Sequence, residues 1–265
     1  MTGTAGPSRS SELVLRSLSG VAMIAVAVLA LLAGGFVFWL LTVVLGLVMI
    51  AEWADLHGMS ARHKRLAQYS LFAALALMCP PPGAGPGFLT LGLLVGAAFF
   101  IVIVTNQRAL ALGTIYVGLP ILSLLLIRHQ KEGVVFTLWA LALVWATDIG
   151  AYFAGRTIGG PKLAPAISPN KTWAGLAGGM VLASLFGAAM HGWAGLPLRM
   201  TLATPVLAVI AQGGDLYESW LKRRAGVKDS GTLIPGHGGV LDRLDGIVPV
   251  APIAALLVVL PHFYP

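Results

Sequence analysis

A succession of long apolar runs is the feature that most limits how this chain can fold. Runs bounded by charged residues or by Gly and Pro occupy 13–33, 36–54, 66–79, 88–105, 109–127, 134–154, 173–193, 201–214 and 247–263. A helix needs roughly 20 apolar residues to cross a bilayer core of about 30 Å. Most runs approach that length, and 66–79 and 201–214 are the short ones. The pattern predicts an all-α, polytopic transmembrane bundle of about nine spans.

The composition excludes a water-soluble surface. Only 10% of the 265 residues are charged and 57% are hydrophobic, with a mean hydropathy of +0.87. A soluble domain averages about 25% charged residues. Lipid must therefore be the solvent for most of this chain.

The single cysteine, Cys79, excludes an intramolecular disulfide and a cysteine-based zinc site.

The runs divide the chain into three parts. Residues 1–12 are polar and predicted to be a disordered lead-in. Residues 13–132 carry five spans, and residues 133–265 carry four spans and the candidate active site. The first apolar run is long enough to cross a membrane, so we interpret it as a retained helix rather than a cleaved signal peptide.

The distribution of basic residues predicts an orientation. Nine alternating spans place 14 of the 17 Lys and Arg on the side of the N-terminus, leaving Arg128, Lys131 and Arg199 on the other. Basic residues concentrate in cytoplasmic loops, so the expected topology is N-in and C-out. The net charge of +7 then reflects loops that face anionic headgroups, and no nucleic-acid partner is expected.

The segment from Asp215 to Asp245 carries ten of the 27 charged residues, with acids and bases alternating. A helix that continues from the eighth run would place four polar residues on one face, since they are spaced by three, four and seven. These four are Asp215, Glu218, Ser219 and Lys222. Near the other end, Asp242 and Asp245 would share a face if the last helix begins near Leu241.

Between these acids lies a glycine-rich stretch, Pro235-Gly236-His237-Gly238-Gly239. Glycines let the backbone approach a ligand closely and offer N–H groups to an anion. Carboxylates suit Mg²⁺, which usually bridges substrate phosphates, while Lys and Arg neutralise phosphate charge. The segment therefore indicates a metal-and-phosphate site, with a salt-bridged loop at the lipid interface as the open alternative.

A second cluster precedes this segment. Asp148 lies within an apolar run, where a carboxylate costs about 2.5–3.5 kcal/mol to insert, so it is a functional candidate or a packing residue paired to Arg156 or Lys171. In Ser168-Pro169-Asn170-Lys171-Thr172, Ser168 could cap the seventh helix. The following residues would then form an anion site at its N-terminus, or only a cap and anchor.

Two further acids, Glu52 and Asp55, end the second run. They could face the same cavity or lie at the lipid interface, and their position at the end of an apolar run favours the interface.

The charged segment resembles a known signature. SWLKR at 219–223, KDSG at 228–231 and LIPGHGGVLDRLD at 233–245 are similar to the signature of the phosphatidate cytidylyltransferases, also called CDP-diacylglycerol synthases. DIGAYFAGR at 148–156 and SPNKT at 168–172 resemble the same family. The motifs cover Thr147 to Asp245, and the remainder is similar in hydropathy alone.

The resemblance implies a nucleotidyl transfer in which CTP and phosphatidic acid give CDP-diacylglycerol and pyrophosphate with Mg²⁺, the need for a second cation being left open. It also implies a homodimeric phospholipid-synthesis enzyme in the bacterial inner membrane, whose active site faces the cytoplasm. A related enzyme for a polyprenol or archaeal ether lipid is one alternative. A secondary transporter is another, although no internal repeat is visible.

The expected residue roles follow from the resemblance and the charge pattern together. The expected metal ligands are Asp148, Asp215, Asp242 and Asp245. The expected catalytic residues are these four with Lys171 and Lys222. The expected substrate-binding residues are Ser168, Asn170, Thr172, Ser219, Arg223, Lys228, Asp229, His237, Gly238, Gly239 and Arg243.

Overall fold

A computed structural model describes residues 9–81, 83–234 and 238–260, with side chains from Leu18 onward. The helices are α1 (Arg9–Ala33), α2 (Gly35–Leu56), α3 (Ala61–Ala76), α4 (Phe88–Thr105), α5 (Arg108–Arg128), α6 (Gly133–Thr157), α7 (Trp173–Ala194), α8 (Leu198–Arg224), α9 (Leu241–Leu244) and α10 (Ile247–Val259). A helix overlaps each of the nine apolar runs, which confirms the predicted all-α class.

Five of the described helices are long and apolar enough to cross a membrane: α2, α4, α5, α6 and α7. The apolar parts of α1 and α10 are shorter, and α3 begins with a strongly basic turn. The chain is therefore an integral membrane protein. The count of nine spans and the N-in, C-out orientation stay predictions.

Helix α8 is much longer than the apolar run that predicted it. It continues to Arg224, which adds the polar turns that begin at Asp215. Its last turn holds Lys222, Arg223 and Arg224, and cations there interact favourably with the negative end of the helix dipole. The predicted continuation of the eighth helix into the charged segment is confirmed.

Helices α6 and α7 pack closely because glycines line their contact. A Cβ added at Gly178 would lie 2.2 Å from the Cβ of Ala154, and one added at Gly150 would lie 2.5 Å from the Gly178 carbonyl oxygen. Small residues allow such close backbone approach between membrane helices. Helix α7 also packs against α8, so α6, α7 and α8 form a unit.

A short hairpin joins α6 to α7. Strands β1 (Lys162–Ala164) and β2 (Ser168–Thr172) are antiparallel, with Lys162 opposite Thr172 and Ala164 opposite Ser168. The prediction that Ser168 caps the seventh helix is therefore wrong. Proline disfavours a helical conformation in the residue before it, and the ladder with β1 keeps Ser168 extended. The cap is Thr172, whose hydroxyl accepts from the Gly175 N–H at 3.0 Å.

Candidate active site

A cavity of about 360 Å³, with several polar and charged side chains in its wall, lies where α6, β2, α7 and α8 meet. Its lining residues are Asp148, Ala151, Tyr152, Ser168, Asn170, Lys171, Thr172, Gly175, Leu176, Gln212 and Asp215. Six of them were predicted as site residues: Asp148, Ser168, Asn170, Lys171, Thr172 and Asp215. The fold thus brings the two motif regions together, although more than 40 residues separate Lys171 from Asp215.

Lys171 is the centre of this cavity. Its Nζ donates to Asp215 Oδ2 and, at 2.9 Å, to Gln212 Oε1. The Gln212 amide in turn donates to Asp148 Oδ1 at 3.3 Å. We call Asp148, Lys171, Gln212 and Asp215 the open cluster, because all four line the cavity and are linked to one another through their side chains.

The other cavity residues from β2 have different environments. Asn170 is exposed and Ser168 is half-buried. Thr172 is 4% exposed and its hydroxyl caps α7, so it forms part of the wall. Substrate binding by all three stays a prediction, and the geometry favours Ser168 and Asn170 over Thr172.

The polar face of α8 forms as its spacing predicts. Ser219 Oγ donates to Asp215 Oδ1 at 3.4 Å, and Lys222 Nζ lies 3.2 Å from Glu218 Oε1. Lys222 also donates to Asp242 Oδ1 at 2.5 Å. Lys222 therefore links α8 to α9, the short helix at the end of the glycine-rich loop.

Asp242 is almost fully enclosed by hydrogen-bond donors. Its Oδ2 accepts from the backbone N–H groups of Ser230 and Gly239, both at 2.8 Å, and its Oδ1 accepts from Lys222. Burial acts to raise the pKa of this carboxyl, but hydrogen bonds with Glu218, Lys222 and the two N–H groups outweigh it and lower the pKa to about 2. Asp242 is therefore a stable carboxylate at neutral pH.

A second buried carboxylate, that of Glu52 in α2, forms hydrogen bonds with the same loop. Glu52 is 6% exposed. Its Oε1 accepts from the Val240 N–H at 2.9 Å, and its Oε2 accepts from the Leu241 N–H at 2.8 Å and from Ser230 Oγ at 3.0 Å. We call Glu52, Ser230 and Asp242 the loop anchor. The interfacial position favoured for Glu52 is wrong, because the loop folds back over the end of α2.

Asp55, three residues after Glu52, behaves differently. Its side chain is 55% exposed and pairs with Lys64 at 2.5 Å. An interfacial position for Asp55 stays a prediction, whereas Glu52 is buried against the loop.

Two glycines of the loop, Gly238 and Gly239, lie where the surrounding atoms leave no room for a side chain. A Cβ at Gly239 would lie 2.2 Å from Ser230 Oγ, and one at Gly238, whose φ is +82°, would lie 2.7 Å from Asp242 Oδ2. The Ile234 N–H donates to the Gly238 carbonyl oxygen at 2.9 Å and closes the loop. His237 lies outside the described residues, so its predicted phosphate contact stays a prediction.

Asp245 is associated with the open cluster rather than with Asp242. It is half-buried, and its Oδ1 accepts from the Gly246 N–H at 2.7 Å. Burial, followed by the nearby Asp215 and Asp148 carboxylates, raises the pKa of Asp245. Helix α9 begins at Leu241 and ends at Leu244. Asp242 and Asp245 have different partners, and their predicted common role as metal ligands stays a prediction.

The remaining predicted residues lie around the loop. Arg223 Nε donates to the Ile167 carbonyl oxygen at 3.5 Å, which connects α8 to the hairpin. Lys228 and Asp229 are exposed on the loop, and Arg243 is exposed on α9. These positions leave the three cationic side chains accessible to an anionic ligand, and their predicted substrate contacts stay predictions.

The acids fit Mg²⁺ by their chemistry. In the part of the chain that the structure describes, no three His, Cys, Asp or Glu side chains are close enough to form a metal site by themselves. Mg²⁺ is usually bound by one or two carboxylates together with waters and substrate phosphates. Asp148 and Asp215 present carboxylates to the cavity, whereas Asp242 is not among the residues that line it, and its Oδ2 accepts from two backbone N–H groups. The donor set suits a metal that arrives with a phosphate substrate.

Three residues of this arrangement are not among those predicted from the sequence: Gln212, Glu52 and Ser230. Gln212 lies three positions before Asp215 and was the polar residue in an otherwise apolar stretch, which could have marked it. The position of Glu52 at the end of an apolar run predicts the lipid interface instead. Its partners are 178 to 189 residues away, and no local pattern reveals such a contact.

A helical membrane bundle that gathers carboxylates, a lysine and glycine-rich backbone at the ends of its helices has the architecture of an integral membrane enzyme for anionic substrates. Residues 14–260 match the sequence model of the cytidylyltransferase family. The match covers nearly the whole chain, and the chain belongs to this family.

Its relatives are similar along the same length. A phosphatidate cytidylyltransferase of Brucella suis biovar 1 (strain 1330) is 41% identical over 256 residues, covering 91% of each chain. One from Staphylococcus epidermidis (strain ATCC 12228 / FDA PCI 1200) is 33% identical over 262 residues, covering 92% of this chain and 98% of the relative. One from Bacillus subtilis (strain 168) is 43% identical over 155 residues, covering 57% of this chain and 58% of the relative.

Proposed function

We propose that this protein is a phosphatidate cytidylyltransferase, which converts CTP and phosphatidic acid to CDP-diacylglycerol and pyrophosphate. The observation that carries this proposal is the open cluster, in which Lys171 is held between Asp215 and Gln212 beside Asp148. These residues lie in or next to the motifs that resemble the family, and relatives of that name match over nine-tenths of the chain.

The reaction requires little proton transfer. An oxygen of the lipid phosphate forms a bond to the α-phosphorus of CTP, and the bond from that phosphorus to the bridging oxygen of pyrophosphate breaks. The leaving pyrophosphate keeps the electron pair. Because the attacking phosphate is already an anion, the protein must chiefly bring two polyanions together and stabilise the charge that moves between them.

Lys171 is suited to that task. Its side chain is 17% exposed and lines the cavity. Its ammonium donates to the Asp215 carboxylate and to the Gln212 amide oxygen. When a phosphate enters, its oxygens can take the place of the Gln212 oxygen or the Asp215 carboxylate on the ammonium. Ser168 and Asn170 add hydroxyl and amide donors at the same wall.

We include Mg²⁺ in the proposal, which Asp148 and Asp215 would hold together with the substrate phosphates, with the Asp245 carboxylate nearby. A divalent cation supplies charge neutralisation at the phosphates. The sequence also assigned Asp242 to the metal, but its contacts favour a role in the loop, as described above. Whether a second cation takes part is left to the titration of activity against added salts.

The location and assembly belong to the proposal as well. The 14 to 3 division of basic residues supports a site that faces the cytoplasm, where CTP is available. The bacterial inner membrane and a homodimer follow from the family resemblance. Cross-linking in native membranes and cysteine accessibility from each side would test the assembly and the orientation.

The deciding experiment uses purified protein in mixed micelles with labelled CTP and phosphatidic acid. We expect a labelled CDP-lipid in the presence of Mg²⁺ and none after chelation, with activity restored when Mg²⁺ is returned. Competing polyprenyl phosphate or an ether-linked lipid acid should be used less well. Absence of any CDP-lipid, alongside an active relative, would contradict the proposal, and preference for a competitor would assign the related substrate.

A further inference from the structure

Glu52 has an unusual environment for an acid in the half of the chain that precedes the site. It is a buried acid in a membrane helix, and none of the ion pairs within the described ranges includes it. Transfer of an ionised carboxylate out of water is costly unless hydrogen bonds compensate. Its compensating donors come from the loop between α8 and α9 and from the first residue of α9.

The three donors lie on both arms of that loop. Ser230 belongs to the arm that leaves α8, whereas Val240 and Leu241 belong to the arm that enters α9. Asp242 joins the same two arms from within the loop, through the N–H groups of Ser230 and Gly239. Two carboxylates therefore brace the loop, one from α2 and one from the loop's own end.

Ser230 connects the two braces. Its hydroxyl lies 3.0 Å from Glu52 Oε2 and 3.0 Å from Asp242 Oδ2. A hydroxyl carries one proton, so it can donate to only one of the two oxygens at a time. A displacement of Glu52 therefore changes the hydrogen bonding of Asp242. Since the Lys222 ammonium donates to Asp242 Oδ1 at 2.5 Å, the position of Lys222 changes with it.

The loop glycines fit this arrangement. A Cβ at Gly231 would lie 2.7 Å from Glu52 Oε1, and one at Gly239 would lie 2.6 Å from Glu52 Oε2. Gly231 and Gly239 do not have a positive φ, so the need is for space and not for a special backbone conformation. The loop backbone at Gly231 and Gly239 therefore packs directly against the Glu52 carboxylate.

We infer that Glu52 is a positioning residue, which holds the two described arms of the loop, residues 228–234 and 238–242, in the conformation that binds substrate phosphates. This inference rests on the proposed cytidylyltransferase activity, and it assigns part of that activity to a helix outside the predicted catalytic region. The described hydrogen bonds of Glu52 go to the loop and not to the open cluster. It acts through the loop backbone, and so through the placement of Lys228, Gly238 and Asp242.

The test compares Glu52→Gln with Asp55→Asn, the same acid-to-amide change three residues further along α2. The introduced glutamine keeps the side-chain volume but presents an amide nitrogen to a backbone N–H, so at least one of the three bonds is lost. Asp55 is exposed and pairs with Lys64 among its described contacts. We expect kcat/KM to fall about 10- to 100-fold in Glu52→Gln, with a raised KM for CTP, and to stay within about twofold in Asp55→Asn.

Hydrogen–deuterium exchange gives a readout that does not require turnover. In Glu52→Gln, backbone exchange in the peptide 228–242 should rise about tenfold or more, while exchange in α6 and α7 stays as in the parent. The kinetic constants are calculated per mole of folded, monodisperse protein. If Glu52→Gln does not fold, Ser230→Ala, which removes one of the three bonds, is measured in the same way.

The outcomes separate two failures. A parent protein that forms no CDP-lipid contradicts the proposed function, yet the exchange experiment still tests whether Glu52 holds the loop. Unchanged KM and kcat per folded molecule, or unchanged exchange in the loop, would overturn the positioning role. Equal loss in Asp55→Asn would also overturn it, because the effect would then belong to α2 as a whole.

Discussion

The open cluster and the loop anchor contain similar residues but use them differently. In the open cluster, Asp148 and Asp215 are bound by the side chains of Gln212 and Lys171. In the loop anchor, Glu52 and Asp242 are bound mainly by backbone N–H groups. Side-chain donors can rotate towards an incoming phosphate, whereas backbone donors are fixed by the fold. The comparison assigns binding and chemistry to the first cluster and the shape of the loop to the second.

The largest expected effect on activity comes from the open cluster. Asp215→Asn removes the charge that holds Lys171 and the strongest candidate for a metal ligand, so kcat/KM should fall about 10³-fold or more. The measurement is CDP-lipid formation from labelled CTP, with folding checked by size-exclusion in detergent. A folded Asp215→Asn protein with near-parent activity would remove Asp215 from the reaction and break the comparison.

The matching change in the loop anchor should act on stability. Asp242→Asn replaces one carboxylate oxygen with an amide nitrogen, so either Lys222 or the two backbone N–H groups lose their acceptor. Breaking a buried pair costs about 3–5 kcal/mol. Thermal unfolding in detergent should therefore show a clearly lower Tm than in Asp215→Asn. Equal Tm values in the two variants would contradict the division of roles.

The pKa of Asp242 predicts how this stability depends on pH. A folded-state pKa of about 2, below the ordinary 3.8, means that the contribution is complete well above the ordinary pKa and is lost as the pH falls towards the folded-state value. The difference corresponds to about 2 kcal/mol. Denaturant unfolding of the parent and of Asp242→Asn from about pH 6 down to about pH 2 should converge at the acid end. A constant gap would contradict the assignment.

Lys171→Ala should have an intermediate effect. The ammonium interacts with phosphate in both the bound state and the transition state, so we expect mainly a higher KM for a phosphate-bearing substrate, by about tenfold to a hundredfold. Steady-state kinetics with CTP and phosphatidic acid varied in turn would identify which substrate it binds. A fall in kcat with unchanged KM would instead indicate a contact made only in the transition state.

Gln212→Leu should have a smaller effect. It preserves the buried volume but removes the bridge from Lys171 to Asp148, so kcat/KM should fall about tenfold while the loop anchor is unaffected. Loop exchange in this variant serves as the control for Glu52→Gln. Parent-like kinetics would show that the bridge is unnecessary for the open cluster.

The smallest effect is expected from the exposed pair at the end of α2. Lys64→Ala removes an ion pair whose acid is 55% exposed, and such pairs contribute about 0–1 kcal/mol. Activity and Tm should both remain close to the parent values. A large loss would show that this end of α2 participates in the site beyond Glu52.

The secondary structure could be read from the sequence because its cause is local. Apolar runs such as 88–105 and 109–127 determine their own helices, since a chain in lipid must satisfy its backbone hydrogen bonds within each helix. The α8 extension followed from the three- and four-residue spacing of Asp215, Ser219 and Lys222. The hairpin at Ser168 was missed because its ladder, together with Pro169, competes with the capping pattern of the same residues.

The sequence by itself determined the class of the protein, its family and the residue types of its site. Charges placed in an apolar chain are costly, so they mark function wherever they occur, and motifs of contiguous residues preserve that information. The tertiary structure alone decided which partners each acid has, and so which role each acid can take. Asp242 and Asp245 are three residues apart, yet one is bound by backbone N–H groups and the other lies near Asp215 and Asp148. Glu52 meets a loop almost 190 residues away, because burial and hydrogen-bond partners depend on packing between distant helices.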